Sequence, residues 1–317
     1  GDEATAALTQ GFQKAYPGII VDYSALAGDQ VGPKVINPVA AGQHLTDLAI
    51  TGTTTVIEAF MPASAAAPLK DYLVGPNDSD PSKWLNSKYH YADNAGVYNL
   101  VFSEYVKAPF VFNPQQASDS DFKSNKNLLD PKWKGKIIMR NPLGPGPGLS
   151  VVTYWYTTQS LGKDFVKQFF ATNPVMSNND QQILDGVAHG QYPIGIGPSD
   201  VLTNEYVTKG LAVKHMPGEA LAEQPYVTAG NGSLAVIKDP PHPNALKLYL
   251  DYLLSKDGQV AWVKAAGFAS LRNDVPHDQV LDILVPKPGV DYIEQQNEDY
   301  VKTRTEIVSF VKPLLPQ

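Results

Sequence analysis

Apolar positions along the chain alternate between two spacings, and each change of spacing marks the end of one element and the start of another. From Glu3 to Ala15 the apolar residues Ala6, Leu8, Phe12 and Ala15 fall at helical intervals. Tyr16-Pro17-Gly18 then stops the helix before a β-branched run, Ile19 to Tyr23, that reads as a strand. The alternation repeats: Asp29 to Ala41 predicts a helix, Asp47 to Ile50 a short buried strand, and Thr53 to Phe60 a helix after the Thr51-Gly52 turn. Val97 to Phe112 is dense in aromatic and β-branched residues, as strands running between two lobes would be. Beyond it, Lys136 to Met139 and Tyr192 to Ile196 predict strands. Leu149 to Gln159, Gly162 to Ala171 and a segment ending at Ile183 to Ala188 predict helices. Gly232 to Ile237 then reads as a strand, Pro243 to Leu254 as an amphipathic helix and Gly258 to Ala266 as its continuation.

Strand and helix in alternation predict an α/β fold with mainly parallel sheets covered by helices on both faces. A chain of 317 residues exceeds one small core and favours about two domains. With 43% hydrophobic and 18% charged residues it is an ordinary globular sequence. The net charge of −7, with no Lys/Arg run to overrule it, argues against nucleic acid as a partner. No cysteine is present, which removes disulfides, thiolate metal sites and thiol nucleophiles together and suits an oxidising compartment. No apolar stretch approaches the roughly 18 residues that span a bilayer.

Four stretches, in this order, resemble the extracellular solute-binding proteins of ABC importers, and within them the branch that includes the periplasmic ferric-iron-binding proteins. They are Phe12 to Tyr23 (FQKAYPGIIVDY), Leu128 to Ile137 (LLDPKWKGKI), Ile183 to Ile196 (ILDGVAHGQYPIGI), and Asn231 to Leu246 (NGSLAVIKDPPHPNAL) followed by Tyr252 to Gln259. The resemblance implies a two-lobed periplasmic-binding-protein fold of type II, each lobe a mixed, mainly parallel sheet flanked by helices, with a hinge between them. Residues 1–105 plus 229–271 would form the first lobe, and 106–228 plus 272–317 the second. It implies a monomeric periplasmic receptor, secreted behind a signal peptide, that closes on a small solute and delivers it to an inner-membrane ABC permease without cofactor or chemistry. Family members open with a strand before the helix that here begins near Glu3, so a ligand loop of the first lobe is expected to be missing from the residues considered.

In open α/β sheets, ligands sit beyond the carboxyl ends of strands, where helix N-termini present free N–H groups and partial positive charge. Five loops fit: Ser24 to Gln30, Thr51 to Thr55, Asn141 to Ser150, Ser177 to Asp180 and Pro198 to Asp200. Arg140 ends a strand, and Gly146 and Gly148 let backbone approach an oxyanion before Ser150 in the next helix; a rigid turn with Arg140 at the surface is the alternative. No Lys-Ser or Lys-Thr follows these glycines, so this is no nucleotide phosphate loop. Thr51, Gly52 and Thr53 offer hydroxyls and a helix start, or a plain cap by Thr53. Ser24 and the Gly28-Asp29 turn are ligand contacts or a capped loop. Asn178 and Asn179 are neutral donors or helix caps, Ser199 and Asp200 open another helix, and Tyr226 can stack on a ligand or pack a turn.

Position 200 tests the iron alternative. The resemblance places the ferric-binding branch's tyrosine pair at Asp200-Val201, and Val201 cannot ligate a metal. Asp200 would instead receive an amine or hydroxyl, or only complement a helix dipole. A small anionic or zwitterionic organic solute is the expected ligand, with a ferric-iron carrier and an enzyme on the same two-lobed fold as alternatives. The six histidines lack metal-ligand spacing, and no Gly-x-Ser-x-Gly elbow occurs, so zinc and serine-hydrolase chemistry have no support.

Overall fold

The computed structural model describes residues 2–26, 28–144 and 146–315. In chain order it contains α1 (Asp2–Ala15), α2 (Gly28–Ala40), β1 (Leu48–Thr51), α3 (Thr53–Thr55, running on into a π turn over Val56–Phe60), β2 (His90–Tyr91), β3 (Leu100–Val101) and β4 (Ser103–Val106). There follow β5 (Val111–Phe112), β6 (Ile137–Arg140), α4 (Pro147–Thr157), α5 (Gly162–Ala171), β7 (Val175–Ser177), α6 (Asp180–Ala188), β8 (Ile194–Ile196), α7 (Asp200–Thr208), β9 (Lys214–His215) and β10 (Tyr226–Thr228). The last elements are β11 (Ser233–Val236), α8 (Pro243–Leu253), α9 (Lys256–Ala266), β12 (Ala269–Ser270), β13 (Ile293–Glu294) and α10 (Glu298–Val311).

The chain divides into two compact units. Unit 1 comprises Gly1–Tyr105, Thr228–Lys287 and Gln296–Val301; unit 2 comprises Val106–Val227, Pro288–Gln295 and Lys302–Gln317. Residues 272–287 and 296–301, expected with the second lobe, group with unit 1.

Unit 1 is organised on a four-stranded sheet in the order β1-β11-β3-β2. Strand β11 shows why helices cover both faces, because its side chains alternate with period two. Leu234 and Val236 enter one cluster with Leu8, Trp84, Leu100, Phe102, Leu250 and Trp262. Ala235 and the following Ile237 enter another with Val35, Val56 and Phe60. Burying each large apolar side chain here stabilises the unit by roughly 1.5–3 kcal/mol.

Two expectations fail in this unit. Every described pair of its sheet is antiparallel, β1 with β11, β11 with β3 and β2 with β3, whereas mainly parallel pairing was expected. The cause is non-local: β11 arrives from far along the chain and inserts between β1 and β3, so local alternation does not set its direction. Ile19 to Tyr23 forms no strand either. Its side chains have no sheet to cover, Ile20 being 85% exposed, and β-branched residues specify a strand only where a neighbour pairs with it.

Unit 2 carries a five-stranded sheet in the order β7-β6-β8-β5-β9. Its centre is parallel, β6 with β7 and β6 with β8, while β5 runs antiparallel to β8 and β9. Ile137, Met139, Ile194, Ile196, Phe110 and Phe112 face an aromatic-rich core with Phe122, Trp133, Trp155 and Phe169. Ile138 and Val111 face the opposite cluster with Ile183, Leu184 and Val187 from α6. These strands are buried on both faces, which is why they read as unbroken apolar runs. The parallel centre brings the carboxyl ends of β6, β7 and β8 to one edge, with Arg140 opposite Ser177 and Met139 opposite Ile196. Helices α4, α6 and α7 all begin just past that edge.

Candidate functional site

Most of the residues singled out from sequence lie in unit 2, at this edge. Helix α4 starts where backbone meets backbone. A Cβ on Gly148 would stand 2.5 Å from the Arg140 carbonyl oxygen, and one on Gly197, at φ +62°, would stand 2.9 Å from the Gly148 Cα. Only glycines let the helix N-terminus sit this close to the ends of β6 and β8. Gly146 holds the N-cap position at φ +138°, where an L side chain is strained, with Pro147 at the first helical position.

The three helix starts differ in how they are filled. In α6, the Asn179 side chain accepts from the Gln182 N–H at 3.1 Å and Asp180 lies in the first turn. Asn179 is thus a helix cap, the plainer of its two readings. In α7, Ser199 occupies the N-cap position without a side-chain cap bond and Asp200 lies in the first turn. In α4, the first turn has neither a carboxylate nor a side-chain cap.

Arg140, expected to await an oxyanion, is engaged within the chain. Its Nη1 donates to the Asn178 carbonyl oxygen and pairs with Asp180 Oδ1 at 3.2 Å. Burial pushes the Asp180 carboxyl above its usual range; Arg140, the Ser199 backbone N–H and Lys107 oppose that shift, and Asp200 adds to it. Asn178 itself is exposed. The Ser150 hydroxyl is also occupied, hydrogen-bonding the Gln295 side chain at 2.8 Å.

Asp200 is 6% exposed and forms an ion pair with the 2%-exposed Lys107. Lys107 was missed by the sequence reading, although the signal was present: a charge inside the apolar run Val106-Lys107-Ala108-Pro109-Phe110 has to find a partner if it is buried. His215 lies near the same pair. Its Nε2 bonds the Asn204 side chain at 2.9 Å, and burial drives its pKa down to about 4, Lys107 acting with burial and Asp200 against it.

Tyr226, read from sequence as a ligand contact or as packing in a turn, is 1% exposed and stacks on Tyr154, with centroids 4.2 Å apart, an arrangement that matches the packing reading. Its hydroxyl has no hydrogen-bond partner among the described residues. Burial, then Tyr154 and Asp200, raise the Tyr226 pKa well above that of an ordinary phenol, so Tyr226 holds its proton at neutral pH.

The unit 1 candidates form a separate turn. Gly52, not Thr53, holds the N-cap position of α3, and it has no side chain with which to cap. Thr51 and Thr53 are 4% and 6% exposed. The Thr51 hydroxyl contacts that of Thr55 at 3.4 Å, and Ser233 Oγ donates to the Thr51 carbonyl oxygen at 2.7 Å. Ser24 is exposed in the unpaired stretch after α1, and no hydrogen bond among the described residues joins it to this turn. Ala27 and Pro145, inside two of the expected loops, lie outside the described residues, as does the side chain of Asp29.

Comparison with known proteins accords with this architecture. No curated protein matches the sequence. Iron-bound HitA from Pseudomonas aeruginosa superposes with a TM-score of 0.72 at 17% identity, covering 99% of this chain and 96% of that one. AfuA from Actinobacillus pleuropneumoniae, with exogenous fructose-6-phosphate bound, gives 0.70 at 16% identity over 99% and 96%. The substrate-binding protein of an ABC transporter from Agrobacterium tumefaciens gives 0.77 at 14% identity over 100% and 92%. At such identities the likeness shows the fold, that of the two-lobed periplasmic binding proteins. The profile of the bacterial extracellular solute-binding proteins matches residues 92–269, more than half of the sequence. The chain belongs to the bacterial extracellular solute-binding proteins.

Proposed function

We propose that this protein is the periplasmic substrate-binding component of an ABC transporter, closing on a small anionic or zwitterionic organic solute and delivering it to the inner-membrane permease. The reading includes no chemical step on the solute. Membership of the solute-binding family supports the transport role. The charge of the solute rests on one observation in unit 2: of the three helices that start at the carboxyl edge of its sheet, α4 opens on Gly146, Pro147 and Gly148 with no carboxylate and no side-chain cap. A helix start with no carboxylate and no side-chain cap, at the positive end of an 11-residue helix, is an acceptor's natural partner, whereas α6 and α7 already carry Asp180 and Asp200 there.

HitA was solved with iron and AfuA with fructose-6-phosphate, so ligand class is not uniform among proteins of this fold. Iron has little support here. Asp200-Val201 stand where the resemblance implies a tyrosine pair, Tyr154 and Tyr226 are both buried, and Tyr226 has its pKa raised well above that of an ordinary phenol.

A ligand that binds only the folded state raises the melting temperature, by about 2.7 kcal/mol of added stability at a hundredfold excess over Kd. Citrate, inorganic phosphate, fructose 6-phosphate, amino acids, putrescine and ferric citrate form a sufficient panel. At least one of the anionic or zwitterionic compounds is expected to shift the melting curve by several degrees, with Gly148→Ala abolishing the shift. A shift with putrescine alone, or a coloured ferric complex with no response to the organic anions, would sink the reading.

A further inference from the structure

Lys107 and Asp200 form the most deeply buried ion pair among the described residues, at 3% and 7% side-chain exposure. Asp200 opens α7, at the carboxyl edge of the sheet where α4 also begins. Lys107 directly follows β4 and reaches a partner 93 residues further along the chain. A buried pair of this kind is seldom kept for stability, because desolvating two charges offsets most of their attraction. After burial, Asp200 favours protonation of Asp180, His215 and Tyr226, and Lys107 opposes it at Asp180 and His215. The Tyr226 side chain is 1% exposed, and its hydroxyl has no hydrogen-bond partner among the described residues.

We propose that Lys107 is a positioning residue that sets the charge preference of the site: by holding Asp200 in a buried ion pair it denies a solute's ammonium group its carboxylate, and so narrows the ligand to an anion without a cationic group. This rests on the proposed solute-binding function and sharpens its solute class. With Asp200 neutralised by Lys107 and Asp180 by Arg140, the side chains at this edge contribute no net charge. The N–H groups of α4 then set the sign of the field, and they favour an anion. Without Lys107, the carboxylate at the start of α7 would oppose them.

Calorimetric titration of citrate, inorganic phosphate, fructose 6-phosphate, L-glutamate and putrescine into the wild type, Lys107→Met, Asp200→Asn and the double variant tests this. The wild type should bind one of the first three more tightly than glutamate or putrescine. For that anion, Lys107→Met should raise Kd about tenfold or more and Asp200→Asn should lower it by about as much, as expected for one charge gained or lost within several ångströms. The double variant should return to within about threefold of the wild type. Opposite signs from the two single variants cannot come from a merely structural role, and if Lys107→Met folds poorly, the tightening in Asp200→Asn and the restored double variant still carry the test. A wild type that binds an anion while the single variants leave Kd unchanged, or move it in the same direction, overturns the role of Lys107 and leaves the function standing. A wild type that prefers glutamate overturns the narrowing to an anion but not the function; one that binds none of the anions or glutamate overturns both.

Discussion

The carboxyl edge of the unit 2 sheet gathers two cations and two carboxylates, Lys107 with Asp200 and Arg140 with Asp180. The turn that opens α3 in unit 1 offers only hydroxyls and backbone, the Thr51 and Thr55 hydroxyls and a carbonyl bonded by Ser233. Each pattern meets the same requirement, that buried polar groups be partnered, with different consequences. A hydroxyl that loses its partner leaves a small dipole unsatisfied. A buried charge that loses its partner is left far out of water. Changes in unit 2 should therefore be costly and dependent on charge, and changes in unit 1 modest and indifferent to it.

The largest expected contrast is Lys107→Met against Ser233→Ala. Removing Lys107 strands the Asp200 carboxylate in a buried position and should destabilise by about 3–5 kcal/mol, while Asp200→Asn in the same chain should recover much of that loss. Ser233→Ala deletes one hydrogen bond to the Thr51 carbonyl and should cost about 1 kcal/mol. Urea denaturation of the four proteins measures both. Equal losses in the two units would remove the distinction.

The second contrast is in pH. Asp78 in unit 1 is fully buried, with one carboxylate oxygen lacking a partner among the described residues, and its pKa is raised to about 6 by burial, with Asp251 adding to the rise. Its charged form is the disfavoured one, so it favours folding below its unfolded value of 3.8, and that contribution is lost as pH rises through 6. His215 in unit 2 behaves oppositely. Its neutral form is favoured, so its contribution is present above 6.5 and is lost as pH falls through 4. Each amounts to roughly 3 kcal/mol at most, from shifts of about two units. Hydrogen exchange from pH 7 to 4.5 should show amides around Gly75 to Ser79 gaining protection while those of β9 lose it. Asp78→Asn and His215→Gln should each flatten only their own response. If both regions responded alike, pH would not separate the units.

These contrasts also mark how far the sequence could be read. Elements whose side chains answer to local periodicity were legible: α1, with Leu8 and Phe12 buried, α8, and the apolar strands β6 and β8. Asn179 was legible as a cap because capping is a local transaction between a side chain and the N–H three residues on. What depended on a distant partner was not. Ile19 to Tyr23 has the composition of a strand but pairs with no strand among the described residues, and β11 pairs antiparallel because of where the chain returns. Lys107 announced only that a counter-charge was needed. That Asp200 supplies it, and that Tyr154 covers the ring of Tyr226, follows from packing between segments dozens of residues apart.

The smallest contrast concerns two glycines at helix starts. On Gly148 a Cβ meets the Arg140 carbonyl oxygen at 2.5 Å and its carbon at 3.0 Å; on Gly52 it meets the Gly230 carbonyl oxygen at 3.2 Å. The obstacle in each case is backbone, which cannot rotate away as a side-chain tip would. At 2.5 Å the start of α4 must lift from the end of β6, and Gly148→Ala should cost about 2–3 kcal/mol, within the range for overpacking. At 3.2 Å a shift of a few tenths of an ångström suffices, and Gly52→Ala should cost about 1 kcal/mol or less. Because lifting α4 also moves the N–H groups that would receive an anion, Gly148→Ala should lose solute binding by more than its stability loss accounts for. Melting curves with and without the best-binding anion measure both effects at once. If Gly148→Ala bound that anion as well as Gly52→Ala does, the start of α4 would not be where the solute's charge is received.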